Sequence, residues 1–190
     1  MQILVIVAYI STLVWLIPPF KQYKTKYFAF FLVIAISEVA VIILWKIFQI
    51  KPQIISSIAS LFLIYSFFNT NYKKTIITAG LAVVLLFVEQ MLSDRQLLVV
   101  ISLSHIIICV IIINDFLKYI LKKNAISLFF IFLITYEISI ILKNIIFLTD
   151  IKQNIILFST TTFFQIFFGI VFSFININSK VFPISKKVIS

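Results

Sequence analysis

Apolar residues run along this chain in seven long blocks, and most polar residues fall in the short breaks between them. The blocks extend approximately from Ile3 to Phe20, Tyr27 to Phe48, Ile54 to Phe68, Thr75 to Leu92, Leu97 to Leu117, Ala125 to Leu142 and Ile155 to Ile177. A helix rises about 1.5 Å per residue and needs about 20 apolar residues to cross a hydrocarbon core of roughly 30 Å, so each block predicts one transmembrane helix. The third block is the weakest, being short and containing Ser56, Ser57 and Ser60. The pattern predicts a single all-α polytopic transmembrane domain over residues 1–190, a bundle of about seven helices with no soluble domain. Glycine occurs only at Gly80 and Gly169, and all four prolines fall at block ends or in the tail, so the helices are expected to be largely unbroken.

Composition strengthens this reading. Hydrophobic residues make up 63% of the chain, charged residues 12%, and the mean hydropathy is +1.20. A soluble domain averages about a quarter charged residues and needs them to cover its core with a wet surface. The formal charge of +10 would suggest nucleic acid in a soluble protein. Here the cations stand singly or in small groups between apolar blocks, so they read as topology signals, and nucleic acid is not an expected partner.

With seven crossings, one side of the membrane holds Lys21, Lys24, Lys26, Lys73, Lys74, Lys118, Lys122, Lys123, Lys180, Lys186 and Lys187. The other holds Lys46, Lys51, Arg95, Lys143 and Lys152. By the positive-inside rule the first side is cytoplasmic, which places Met1 outside and the carboxyl terminus inside. Removing the third crossing would put Lys21, Lys24 and Lys26 opposite the later lysine-rich links and spoil the bias. Met1 and Gln2 are uncharged and the lysines come later, unlike a cleaved signal peptide, so the first block is expected to stay attached. The expected location is the cytoplasmic (inner) membrane, as a multi-pass protein.

Ionisable groups in hydrocarbon cost several kcal/mol and normally face a protein interior or a wet cavity, so they are the strongest functional clues. They are Glu38 near the middle of the second helix, Glu89 toward the outer end of the fourth, His105 in the fifth and Glu137 in the sixth; Gln165 joins them from the seventh. Counting along alternating helix directions places Ser56, Ser57, Ser60, Gln90, Ser102, Ser104, Tyr136, Ser139 and the run Ser159 to Thr162 in the outer half as well. The inner half of the seventh helix is dominated by Phe167, Phe168, Phe172 and Phe174. This asymmetry predicts a polar pocket or packed network that opens outward and is closed below by aromatic packing. The alternative for each carboxyl is structural: protonated and hydrogen-bonded to Ser, Thr or Tyr, it glues helices together.

His105 shares a helix stripe with Ser102 and Cys109, which favours a packed contact between helices over chemistry. One histidine and two distant glutamates lack spaced ligand signatures, so no metal or other cofactor is expected. Cys109 stands alone, with no recognisable orienting group or oxyanion site beside it, and is expected to be a small core residue. Trp45, Tyr23, Tyr27, Tyr72 and Tyr119 lie near block boundaries and read as interfacial anchors. The tail from Asn178, with Lys180, Lys186 and Lys187, suits contact with anionic lipid or a cytoplasmic partner. Asp94, Asp115 and Asp150 sit at block ends, and neither a phosphate-binding glycine loop nor a His-Glu-x-x-His pair occurs, which argues against an ATPase, a zincin or an aspartate-dyad protease.

In layout the chain is similar to the seven-helix membrane input regions of peptide-sensing bacterial histidine kinases, which join isoleucine- and phenylalanine-rich spans by short basic loops. It departs from them in carrying no cytoplasmic kinase. The expected function is therefore non-enzymatic, exerted through the bilayer and other membrane proteins, as an accessory subunit or a sensor-like module with an outward polar pocket. The alternative is a small proton- or solute-coupled transporter or channel using Glu38, His105 and Glu137. Long unbroken helices count against it, because many transporters build midplane sites from discontinuous ones.

Overall fold

A computed structural model of the protein describes residues 2–68, 91–149, 155–179 and 181–183. About 80% of the described chain is helical. The elements in order are α1 (Gln2–Trp15), α2 (Pro18–Lys21), α3 (Phe28–Phe48), α4 (Pro52–Ser66), α5 (Asp94–Lys123), β1 (Ala125–Ser127), α6 (Leu128–Leu148), α7 (Ile155–Phe174) and β2 (Val181–Pro183). The expected block from Thr75 to Leu92, apart from Met91 and Leu92, lies outside the described residues, and Glu89, Gln90, Lys73 and Tyr72 lie outside them too.

Among the described residues three helices are long and apolar enough to cross a membrane: α3, α5 and α6. The helix α4 and the segment Thr160–Phe174 of α7 are apolar but shorter. The outward faces of these helices are apolar as well. Ile36, Leu103, Val110, Leu117 and Phe163 each expose more than half of their surface. An apolar outer face around helices whose backbone groups bond internally is matched to lipid.

Several boundaries differ from those read off the apolar blocks. The first block is not one helix, because α1 stops at Trp15 and α2 starts afresh with Pro18 and Pro19 in its first turn. Neither proline has an N–H to continue the ladder, and a proline ring crowds the carbonyl four residues earlier. The fifth helix is longer than expected, at 30 residues, or about 45 Å. Its start is fixed by a capping box in which Ser93 Oγ accepts from the Gln96 N–H and Gln96 Oε1 accepts from the Ser93 N–H. Asp115 and Lys118 therefore lie within α5 rather than at its end. Lys122 and Lys123 occupy its last turn, where cations suit the carbonyl end of the dipole. Asn124 then closes the helix in the left-handed region, at φ 49°.

The sixth block begins as a strand rather than a helix, a departure from the all-α expectation. Ala125, Ile126 and Ser127 pair antiparallel with Pro183, Phe182 and Val181, so the tail is tied to the link between α5 and α6. At the other end α6 runs on to Leu148, past the expected boundary at Leu142, because Ile145, Ile146, Phe147 and Leu148 continue the apolar pattern. Lys143 is thus a residue of the helix and not of the link.

The described helices alternate in direction with one exception. Tyr9 and Trp15 of α1 meet Lys46 and Phe31 of α3, so these two run antiparallel. On α5 and α6, the contacts His105 to Glu137 and Phe116 to Phe130 show the same relation. In contrast α4 and α5 run parallel: Lys51 at the head of α4 pairs with Asp94 at the head of α5 at 2.8 Å. At the opposite end Tyr27 touches Phe67, just past α4, and donates to Asp115 in the second half of α5. The bundle thus has a head end, where α4 and α5 start, and a foot end, where α3 and α6 start.

The foot end is filled with rings. Tyr27, Phe30, Phe31, Phe129, Phe130 and Phe172 are all fully or almost fully buried. Phe172 lies 5.0 Å from Phe31 and 5.8 Å from Phe129, between centroids, with the rings tilted as their quadrupoles prefer. Tyr27 belongs to this core and does not serve as the interfacial anchor expected of it; its hydroxyl reaches Asp115, and Lys26 pairs with the same carboxylate at 2.7 Å. Of the four phenylalanines expected to fill the inner half of the seventh helix, Phe168 and Phe172 point inward, while Phe167 and Phe174 face outward. Gln22, fully buried, donates to the Phe172 and Ile175 carbonyls and ties the link after α2 to the end of α7. Gly169 lets α1 and α7 approach closely, since a Cβ there would lie 2.7 Å from Val14 Cγ1.

Candidate functional site

Toward the head end the same helices part around a cavity of about 360 Å³. Its walls come from six helices. Along α4, Gln53, Ser56 and Ser60 recur at three- and four-residue spacing and so share one face. On α6 the stripe is Tyr136, Ile140, Lys143, Asn144 and Phe147. His105 comes from α5, Ser37 and Glu38 from α3, Trp15 from α1 and Gln165 from α7. The cavity reaches Pro52, the first residue of α4, and Phe147, next to the last of α6, so it extends to the helix ends on this side.

The floor carries the best-defined polar contact. His105 Nδ1 lies 2.7 Å from Glu137 Oε2, and both side chains are almost wholly enclosed. A histidine that donates Nδ1–H to a carboxylate presents Nε2 as an acceptor on its other side. Glu137 Oε1, like Asn144 Nδ2 higher up, has no hydrogen-bond partner among the described residues. Cys109, one turn beyond His105, is buried and does not line the cavity. Ser60, which does line it, commits its hydroxyl to the Ser57 carbonyl at 2.7 Å.

Higher in the cavity an acid and a base act on each other. Glu38 accepts a hydrogen bond from Ser11 and lies in the field of Lys143. Lys143 Nζ donates to Gln165 Oε1 at 3.0 Å, which joins α6 to α7. Beside it Asn144, only 7% exposed, has an Nδ2 that meets no acceptor.

Of the residues singled out in the sequence, the structure brings Glu38, His105 and Gln165 to one cavity and sets Glu137 directly behind His105. Glu89 lies outside the described residues. Ser56 and Ser60 face the cavity, whereas Ser57 is buried against the helices. Lys143 and Asn144 were missed because a lysine after an apolar block reads as the end of a span. The signal was present in the apolar run that follows them and in the Tyr136, Ile140, Lys143, Phe147 stripe. Among the described residues no three metal-ligating side chains gather at one place. A larger groove of about 900 Å³, between α2 and the outer face of α3, is walled by residues such as Leu16, Phe20, Leu32 and Ile43 and suits lipid chains.

Comparisons with protein-family models, with curated proteins and with solved structures gave no match.

Proposed function

We propose that this chain is a non-enzymatic seven-span membrane protein that binds a small polar ligand from outside and works, in the manner of a sensor, through membrane partners. The observation that carries this reading is the cavity holding Glu38, His105, Lys143, Asn144 and Gln165 within an otherwise apolar bundle. Charged and polar groups are costly at this depth, and their convergence on one cavity of metabolite size is what a binding site requires. The seven-span count is supported by the parallel run of α4 and α5. The described chain leaves α4 at the foot end and resumes at the head end with α5, as an odd number of crossings between them would require. The outward direction is supported by charge: among the described residues the head end holds Lys46, Lys51 and Arg95, whereas Lys21, Lys24, Lys26, Lys118, Lys122 and Lys123 lie toward the foot end.

Non-enzymatic action is favoured because Ser60 commits its hydroxyl to backbone and Cys109 does not line the cavity. A second reading, proton or solute transfer, is favoured by the His105 and Glu137 pair at the cavity floor. It requires a path through the packed rings below.

Thiol labelling tests the reading. In a Cys109→Ala background, Gln53→Cys and Ser56→Cys should react with a membrane-impermeant reagent added to intact cells, while a cysteine at Ile108 should not. Protection of both cavity positions, or labelling only from the cytoplasmic face of inverted vesicles, would overturn it. Flux into liposomes abolished by Glu137→Gln would select the transport reading instead.

A further inference from the structure

The cavity walls hold an acid, Glu38, and a base, Lys143, and that pairing restricts what can enter. Glu38 supplies an acid and Lys143 a base, while Glu137 is engaged by His105 Nδ1 at the floor. In surroundings of low dielectric constant, an anion drawn to Lys143 would face Glu38, and a cation drawn to Glu38 would face Lys143. Each mismatch costs far more than it would in water. A ligand carrying both signs meets both walls.

The second observation is the unpartnered amide. Asn144 Nδ2 is an N–H₂ group, buried with the side chain 7% exposed, on the cavity wall next to Lys143. Leaving such a donor unmade is expensive, and an acceptor arriving from the cavity removes the penalty. Adjacent donors, one charged and one neutral, suit the two oxygens of a carboxylate. The cavity, at about 360 Å³, is at the small end of ligand sites, which span roughly 300–1,000 Å³, and so fits a metabolite rather than a peptide chain.

We propose that the ligand is a small zwitterion of the amino-acid class, its carboxylate held by Lys143 and Asn144 and its ammonium by Glu38. This rests on the pocket reading above and narrows it. The ring of Trp15, almost fully buried, forms part of the cavity wall and lies tilted against Tyr136 with centroids 4.9 Å apart, so it reports on occupancy.

The full chain is reconstituted in nanodiscs as a Trp45→Phe variant, which leaves Trp15 as its single tryptophan. It is titrated with glycine, L-serine, L-glutamine and L-leucine, and with the amidated, N-acetylated and doubly capped form of each. At least one zwitterion should change Trp15 emission saturably, and either capping should weaken it by at least about tenfold. Lys143→Met should erase the preference for acid over amide, and Glu38→Gln the preference for amine over N-acetyl. The paired variant Glu38→Gln/Lys143→Met keeps the wall balanced; it should stay monodisperse and lose both preferences.

Capped forms that bind as tightly as the parent would overturn the zwitterion while leaving the pocket standing. Silence across the whole panel also overturns it; the pocket itself then falls only if Ser56→Cys is protected from the external thiol reagent.

Discussion

At the foot of the bundle Tyr27, Phe30, Phe31, Phe129, Phe130 and Phe172 fill the space between helices, whereas at the head the same helices part around Glu38, His105, Lys143 and Asn144. The foot is dry and interlocked, with ring centroids 5.0 to 6.3 Å apart around Phe31, Phe129 and Phe172. Buried polar atoms without partners among the described residues lie at both ends, Glu137 Oε1 and Asn144 Nδ2 toward the head and Gln22 Oε1 and the Tyr65 hydroxyl toward the foot. Lipid tails are as apolar as leucine, so helices in a membrane gain little from hydrophobic transfer and depend on dispersion and hydrogen bonds for association. The aromatic end supplies the dispersion. The polar end spends part of it on groups that packing alone would not retain.

The largest effect should come from dividing the buried pair. In His105→Ala, Glu137 stays fully buried with neither carboxylate oxygen partnered, and breaking a buried pair from one side typically costs about 3–5 kcal/mol. Reversible unfolding in mixed micelles would show it. His105→Leu combined with Glu137→Leu should recover most of the loss, because no charge is then stranded. A single substitution that costs less than about 1 kcal/mol would mean that the pair does little to hold α5 to α6.

Next comes the foot. Phe172 is fully buried against Trp15, Phe31, Phe129, Tyr136 and Phe168. Core Phe→Ala changes cost about 3–5 kcal/mol in water-soluble proteins; in lipid the transfer part shrinks, leaving about 3 kcal/mol from lost contacts and the void. Phe174, exposed on the same helix, is the control, and Phe174→Ala should change stability by less than about 0.5 kcal/mol. Equal losses at the two positions would contradict the inward orientation of Phe172. Smaller again is Gly169→Ala, whose Cβ would meet Val14 Cγ1 at 2.7 Å. Forcing α1 from α7 should cost about 1–3 kcal/mol, and Val14→Ala in the same chain should restore part of it.

The two ends also differ in how far they can be read from the chain. Glu38, His105, Glu137 and Gln165 stand out in sequence because a polar group in an apolar block must be accounted for. Which of them meet depends on the rotation of each helix. His105 finds Glu137 32 residues away, while Glu38 instead answers to Ser11 and Lys143, and no local pattern records that choice. Lys143 was hidden by its charge, since a lysine after an apolar run looks like a span end until the apolar residues beyond it are weighed. Tyr27 was hidden by its position, because a tyrosine at a boundary serves equally as anchor or core. Pairing of Ala125–Ser127 with Val181–Pro183 joins segments that are helical or featureless by composition, and only tertiary proximity selects it. The break after Trp15 was legible in Pro18 and Pro19, but both were counted as an end rather than as an interruption.

The smallest effect bears most directly on why the head is built as it is. Asn144 is buried, its Nδ2 unsatisfied, and Leu has nearly the same volume. Were this position chosen for stability, Asn144→Leu would be costly. An unmade buried hydrogen bond carries a penalty of about 1–3 kcal/mol, so without ligand the leucine variant should instead be more stable, by about 1 kcal/mol after the loss of weaker polar contacts. Ligand binding should reverse the order, since a ligand that bonds Nδ2 stabilises the parent chain and not the variant. The measurement is a pair of unfolding curves for each chain, with and without the zwitterion that shifts Trp15 emission most. A gain in stability joined to a loss of ligand response would mark the head as retained for binding at the expense of packing. A loss of stability in the ligand-free variant would place Asn144 with the foot, as one more residue that holds the bundle together.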